Sequence, residues 1–206
     1  MSRIDPQNPR NRSRWTRPPR HRDREAPGSN PGPPTAAESL RLRASWNARR
    51  VSEPLLQLGR DLNSRELFLL QLRSWDDWPR ELDLPSKHFC LLLAGDAQGV
   101  SQETIGSLAD KALAGGCVYL CAWGPDCERV HDWFDLKFVQ RNIVDETPNA
   151  PVVMTTWHEK ETLDSALTFL TRDAFPDDAF AATCRSSLIA VVGNSDWVAS
   201  VRRRFA

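Results

Sequence analysis

The sequence lacks any apolar run approaching the roughly 18–20 residues that a helix needs to cross a bilayer, and its N-terminal stretch has no apolar core of the kind a secretory leader carries. Membrane and export functions are therefore not expected, and a soluble cytoplasmic protein is. Cysteine is sparse: the five residues at 90, 117, 121, 127 and 184 form no CxxC pair. Their apolar surroundings fit reduced core thiols better than a disulfide framework or a zinc knuckle. Phosphate cradles are missing as well, with no GxGxxG after any apolar run and no GxxxxGK[ST]. The segment AGDAQG at 94–99 is a poor substitute, because Asp96 would repel a phosphate. There is no GxSxG elbow, and HEKE at 158–161 lacks the second histidine of a zincin. These absences argue against an ordinary dehydrogenase, kinase, esterase or zincin, and leave any cofactor unknown.

What is present is unevenly distributed. The formal net charge is zero, but residues 1–60 carry 13 arginines against 5 acidic residues, and residues 61–206 carry 14 basic against 22 acidic residues. A basic leader precedes an acidic body. Residues 1–36 hold 8 of the 15 prolines and almost no aliphatic side chains, so they cannot bury enough apolar surface to offset the entropy of ordering, and disorder is expected there. An Arg-rich segment of this kind gains affinity for acidic polymers by releasing counterions. A protein partner or an acidic polymer docking through the leader is thus one functional class to carry forward.

Residues 37–78 read as a linker, with a weak helix over 35–50 and an additional strand, RELFLLQL, over 65–72. From 79 to 206 the pattern is sharper. Four short runs, HFCLLLAG (88–95), CVYLCAWG (117–124), PVVMTTWH (151–158) and SLIAVVG (187–193), are apolar almost throughout, as strands buried on both faces are. Each precedes a helical pattern. Ser101 caps the first helix and Gly115-Gly116 stops it, Pro125 opens the second, and Ser195 or Asp196 caps the last. Strand and helix alternating in this way predict a small doubly wound α/β domain, Rossmann-like or flavodoxin-like. Its mainly parallel sheet would have four to five strands and helices on both faces.

In such sheets ligands bind beyond the carboxyl ends of the strands. That rule picks out Asp96, then Trp123, Asp126, Cys127 and Arg129, then Trp157, His158 and Glu159, and finally Asn194 and Asp196. Two chemistries compete for the centre of the group. Cys127 and His131 stand one helical turn apart, and a first-turn thiol next to a positive dipole end is disposed to ionise, with His131 or His158 as base. The same Cys127, His131 and His158 could instead hold a metal ion. Against both, helix caps, packing tryptophans and ordinary helical neighbours explain these residues without any site.

The phrases HFCLLLAGD, CVYLCAWGPDCERVHDWFD and PVVMTTWHEKETLDSALTFL resemble an uncharacterised family of small bacterial α/β proteins, a domain of unknown function, over about residues 75–206. The resemblance implies an α/β fold and transfers no activity, cofactor or catalytic residue. The reading from sequence is therefore an α/β binding or interaction module with its site around 123–131 and 157–159. The alternatives are a small hydrolase or transferase built on Cys127 or on the metal set, and a regulatory component docking through the basic leader.

Overall fold

The near-continuous apolar runs become the middle of a sheet. The computed structural model describes residues 55–147 and 150–206; the leader over 1–36 and the helix expected over 35–50 lie outside the described residues. Strands β1 (Leu56–Arg60), β2 (Glu66–Leu72), β3 (His88–Ala94), β4 (Cys117–Trp123), β5 (Met154–Trp157) and β6 (Cys184–Val192) lie in the order β1-β2-β6-β3-β4-β5. β1 is antiparallel to β2, and every other pairing is parallel. Helices α1 (Gln102–Ala114), α2 (Cys127–Val144), α3 (Leu163–Arg172) and α4 (Ser195–Arg204) follow β3, β4, β5 and β6. Among the described residues no helix is long and apolar enough to cross a membrane.

Alternate residues of each central strand serve different layers. Leu91 and Leu93 of β3 face Ile105, Leu108 and Ala109 of α1 and Val130 and Phe134 of α2. Cys90 and Leu92 face Ala166, Leu167 and Leu170 of α3 and Val198 and Val201 of α4. Burial on both sides is the reason these strands carry no polar alternation. The caps are local: Ser101 accepts a hydrogen bond from the Thr104 N–H, and α1 ends at Gly115, as the sequence predicts. For α4 the capping residue is not the expected Ser195 or Asp196 but Asn194. Its side-chain oxygen accepts from the N–H groups of Asp196 and Trp197.

The sheet corrects the sequence reading in two respects. Among the described residues it has six strands instead of four to five, because 56–60 forms β1 and pairs outside β2. The α/β unit thus takes in residues upstream of 79, and 66–72 is an interior strand. The order also differs from the expected ones. Numbered along the chain, the five parallel strands read 1-5-2-3-4, which is neither the Rossmann nor the flavodoxin arrangement. The chain steps outwards from β3 to β4 to β5 with α1 and α2 on one face. It then returns with α3 on the other face and inserts β6 between β2 and β3. A change of face on reversing direction is what a constant crossover hand requires.

A buried polar cluster locks the hairpin end of β1 and β2 to the rest. Arg65 Nε lies 2.7 Å from Asp61 Oδ2, and both side chains are almost fully buried. Asp61 also accepts from the N–H groups of Asn63 and Arg65 and from the Ser187 hydroxyl at 2.8 Å. The remaining guanidinium nitrogens of Arg65 donate to the carbonyls of Leu170 and Ala174 and to the Cys90 sulfur. Every part of this ion pair has a partner, which is the condition under which buried charge is tolerated.

Candidate functional site

Inserting β6 between β2 and β3 brings three loops together at the carboxyl end of the sheet. The connections leaving β2 and β3 cross the α1/α2 face, whereas the chain leaving β6 enters α4 on the opposite face. Loops that part in this way leave a crevice between them, the usual ligand position in open α/β sheets. A cleft of about 410 Å³ is found here. Its lining comes from Arg73, Ser74 and Trp75 after β2, Asp96 after β3, and Val192, Gly193, Asn194 and Trp197 at the end of β6 and the start of α4.

The two indoles belong to opposite layers: Trp75 to the core beneath α1 and α2, Trp197 to the packing against the α3/α4 layer. Trp75 is fixed by its N–H, which donates to the Asp96 carbonyl at 3.1 Å, and by Gly95. A Cβ at position 95 would fall 2.5 Å from the Trp75 ring, so this approach needs glycine. Trp197 is held edge-on against Trp123, with ring centroids 4.9 Å apart. Trp123 in turn donates its N–H to the Glu161 carbonyl at 2.9 Å. On the rim, Asp96 accepts from the Gln98 N–H at 2.9 Å, and Asn194 caps α4. Rigid aromatic walls with a few polar groups at the mouth are the usual composition of a small-molecule site.

A second groove, of about 300 Å³, runs between α1 and α2. It is lined by charged side chains that already engage one another, Lys137 with Asp110 at 2.8 Å among them, and lies away from the strand ends.

The residues singled out from sequence are not gathered in one place. Asp96 and Asn194 line the cleft, Trp123 supports it through Trp197, and Asp196 is exposed on the first turn of α4. Asp126 and Arg129 form a clamp instead. Asp126 starts α2 in the left-handed conformation at φ 61°, and its carboxylate accepts from Arg129 at 2.7 Å. Arg129 also donates to the carbonyls of Val100 and Ala97, tying the loop after β3 to α2.

The proposed chemistry around Cys127 is dispersed as well. Cys127 is 1% exposed at the start of α2. Burial pushes its thiol up, against the opposing pull of the His158 backbone N–H and others nearby. The helix dipole that favours thiolate is thus outweighed by desolvation. His131 stacks edge-on against the half-exposed Trp157 and neighbours Asp132 and Asp135. His158 is buried against Phe169, with Nε2 3.2 Å from the Thr156 hydroxyl. Its Nδ1 lies 3.1 Å from a Glu161 carboxylate oxygen without the alignment of a hydrogen bond. Glu159 points to solvent. Among the described residues no three His, Cys, Asp or Glu side chains are grouped so as to hold an ion.

A family model for the domain of unknown function DUF7684 matches residues 67–203. The chain belongs to this family. The resemblance drawn from the CAWGPDCERVHD and VMTTWH phrases is thereby borne out at the level of an uncharacterised domain. No curated protein and no solved structure matches the chain. The DUF7684 match includes every residue lining the cleft.

The buried thiols give the DUF7684 domain a pH signature. Burial pushes Cys121 up to about 12, Tyr119 up to about 12, and Cys117 up as well. In the unfolded chain cysteine ionises near about 8.5 and tyrosine near about 10. Above that range the unfolded state loses protons that the folded state keeps, so it binds fewer protons and stability falls as pH rises. Cys184, lowered by its contact with Cys90, acts in the opposite direction as a single group. The urea midpoint should therefore drop steadily between pH 8.5 and 11, and a flat or rising midpoint over that range would contradict this assignment.

Proposed function

We propose that this protein is a small-ligand binding module whose site is the cleft at the carboxyl ends of β2, β6 and β3. The observation that carries this reading is the parting of the loops after β3 and β6 to opposite faces, with Trp75 and Trp197 as walls and Arg73, Ser74, Asp96 and Asn194 as polar rim. The reading keeps the carboxyl-edge location expected from sequence and moves the centre from Cys127 to β6. Catalysis through Cys127 has less support, since a nucleophile must reach its substrate as thiolate and this thiol is buried and protonated. All five cysteines are free and buried, which supports residence in a reducing compartment such as the cytoplasm.

A thermal-shift screen of small organic fragments tests the proposal. A fragment present at 100 times its dissociation constant adds about 2.7 kcal/mol. For a chain of this size that corresponds to a rise of roughly 5–11 °C in the midpoint. The rise should disappear in Trp197→Ala and persist in His131→Ala. The opposite pattern, with shifts kept in Trp197→Ala and lost in His131→Ala, would move the site to the β5 side and refute the cleft.

A further inference from the structure

We propose that the outer edge of β5 docks an extended segment of a partner protein in which basic and apolar residues alternate, added to the sheet as a further strand. This surface is separate from the cleft. Among the described residues β5 has β4 as its only neighbour in the sheet. The His158 N–H donates to the Ala122 carbonyl at 2.9 Å. By the period of two, Thr156 also turns its backbone groups to β4, and Thr155 and Trp157 turn theirs outwards. β5 reads MTTW, with neither charge nor proline. The strand at the other end of the order is blunted: β1 is broken by a bulge between Gln57 and Gly59 and ends at Arg60. An edge without such devices is a template for another strand.

The side chains around the edge set the partner's chemistry. The Thr155 hydroxyl donates to Asp135 at 2.7 Å and Trp157 meets His131 edge-on, so this side of α2 runs beside β5. Glu128 and Asp132 stand one helical turn before His131 and Asp135 on the same flank, and Glu159 and Glu161 follow the strand. Among the described residues none of these five carboxylates pairs with a lysine or arginine: His131 lies by Asp132 and Asp135, and His158 by Glu161. A second copy adding antiparallel through its own β5 would set the carboxylates against themselves, a like-charge arrangement that a basic segment avoids. Residues of an added strand alternate between the two faces. Those on the α2 face meet the carboxylates and Trp157, which is 48% exposed and can carry a guanidinium within about 6 Å of its ring. Those on the other face meet Met154, which is 41% exposed and gives the apolar positions their contact.

Fluorescence anisotropy on the full chain tests this with a labelled, end-capped peptide alternating arginine and leucine, RLRLRLR. It should bind about tenfold or more tightly than RRRRLLL, which has the same charge without the alternation. N-methylation separates strand addition from simple attraction, because only alternate N–H groups of an added strand face its neighbour. Methylating one set, either the arginine or the leucine nitrogens, should cost about tenfold or more, and methylating the other set should change little. Equal effects of the two sets, equal binding of RRRRLLL, or no binding of either peptide overturns strand addition. Thr155→Pro removes an outward N–H at a position where an edge strand tolerates proline, and should also weaken binding. Asp132→Asn combined with Glu159→Gln should weaken binding severalfold and flatten its salt dependence; unchanged affinity overturns the choice of a basic partner. Trp197→Ala should leave binding intact, and loss of binding there would place the peptide in the cleft and overturn the edge. A dimer of the full chain in sedimentation velocity that Thr155→Pro splits would give the edge to a second copy and overturn the partner segment.

Discussion

Asp61→Ala is expected to destabilise the protein by about 3–5 kcal/mol, the cost of leaving a buried charge without its partner. The carboxylate accepts from Arg65, from two backbone N–H groups and from Ser187, and both Asp61 and Arg65 are shut off from solvent. Removing it strands the guanidinium in the interior. Three further donors lose their acceptor, each an additional desolvation cost. Arg65 joins the β1–β2 hairpin to α3 and the segment after it through the carbonyls of Leu170 and Ala174, so the loss should be felt as global unfolding and not as local fraying. Urea denaturation should show a lower midpoint at unchanged slope. The double variant Asp61→Ala with Arg65→Met should be more stable than Asp61→Ala alone, since it removes the stranded charge as well. A double variant that is less stable than the single one would show that Arg65 contributes chiefly through its carbonyl bonds.

Gly124→Ala should be the most damaging single methyl group near the cleft. Gly124 follows β4 directly at φ +114°, and a Cβ there would stand 2.4 Å from the Gly95 carbonyl oxygen. Neither partner is a flexible side chain: the clash is backbone on backbone, and Gly95 is itself held by its N–H to the Trp123 carbonyl at 3.0 Å and by the Trp75 ring. Backbone strain of about 1–3 kcal/mol and overpacking of about 1–3 kcal/mol both apply, so a loss of about 2–6 kcal/mol is expected in urea denaturation. The displaced Gly95 would carry Trp75 with it, and tryptophan fluorescence of the folded state should change. Gly99→Ala is the control. It too has positive φ, at +72°, but nothing lies within 4 Å of its Cβ, and its cost should stay near about 1 kcal/mol. Equal losses in the two variants would mean that the Gly95–Gly124 approach has no special role.

The parts of this fold that could be read from the chain are those fixed by local patterns. Strands β3, β4 and β6 are apolar on both faces and therefore declare themselves, and Ser101 and Gly115 mark the ends of α1 by cap chemistry that involves few neighbours. β1 did not show, because LQLGR is short and mostly exposed, and pairs only at the outer edge of the sheet. The strand order was hidden for a deeper reason. Nothing local in 184–192 says that it will insert between β2 and β3; that is settled by which helices cover which face.

The candidate site inherits the same division. Asp96 and Asn194 were legible because they directly follow recognised strands, whereas Arg73, Ser74 and Trp75 follow β2, a strand that the sequence left outside the main sheet. Trp197 lies within the first turn of α4, just past the loop that the strand-end rule picks out. Cys127 shows the converse failure. Its helix-start position is visible in sequence, but its burial under the tip of β5 is not, and burial decides its chemistry. A signal for the missed residues was present all the same: Gly95 and Trp75 each stand close behind an apolar run, and the glycine is required by the ring that covers it.

The central claim, that the β2–β6–β3 cleft is where this protein meets its ligand, is tested most directly by following the indole N–H resonances of its eight tryptophans by NMR during a fragment titration. The account predicts that Trp197 and Trp75 shift first, that Trp123 follows through its ring contact with Trp197, and that Trp78, Trp133 and Trp157 stay in place. Shifts centred on Trp157, next to His131, with Trp75 and Trp197 unmoved, would contradict it.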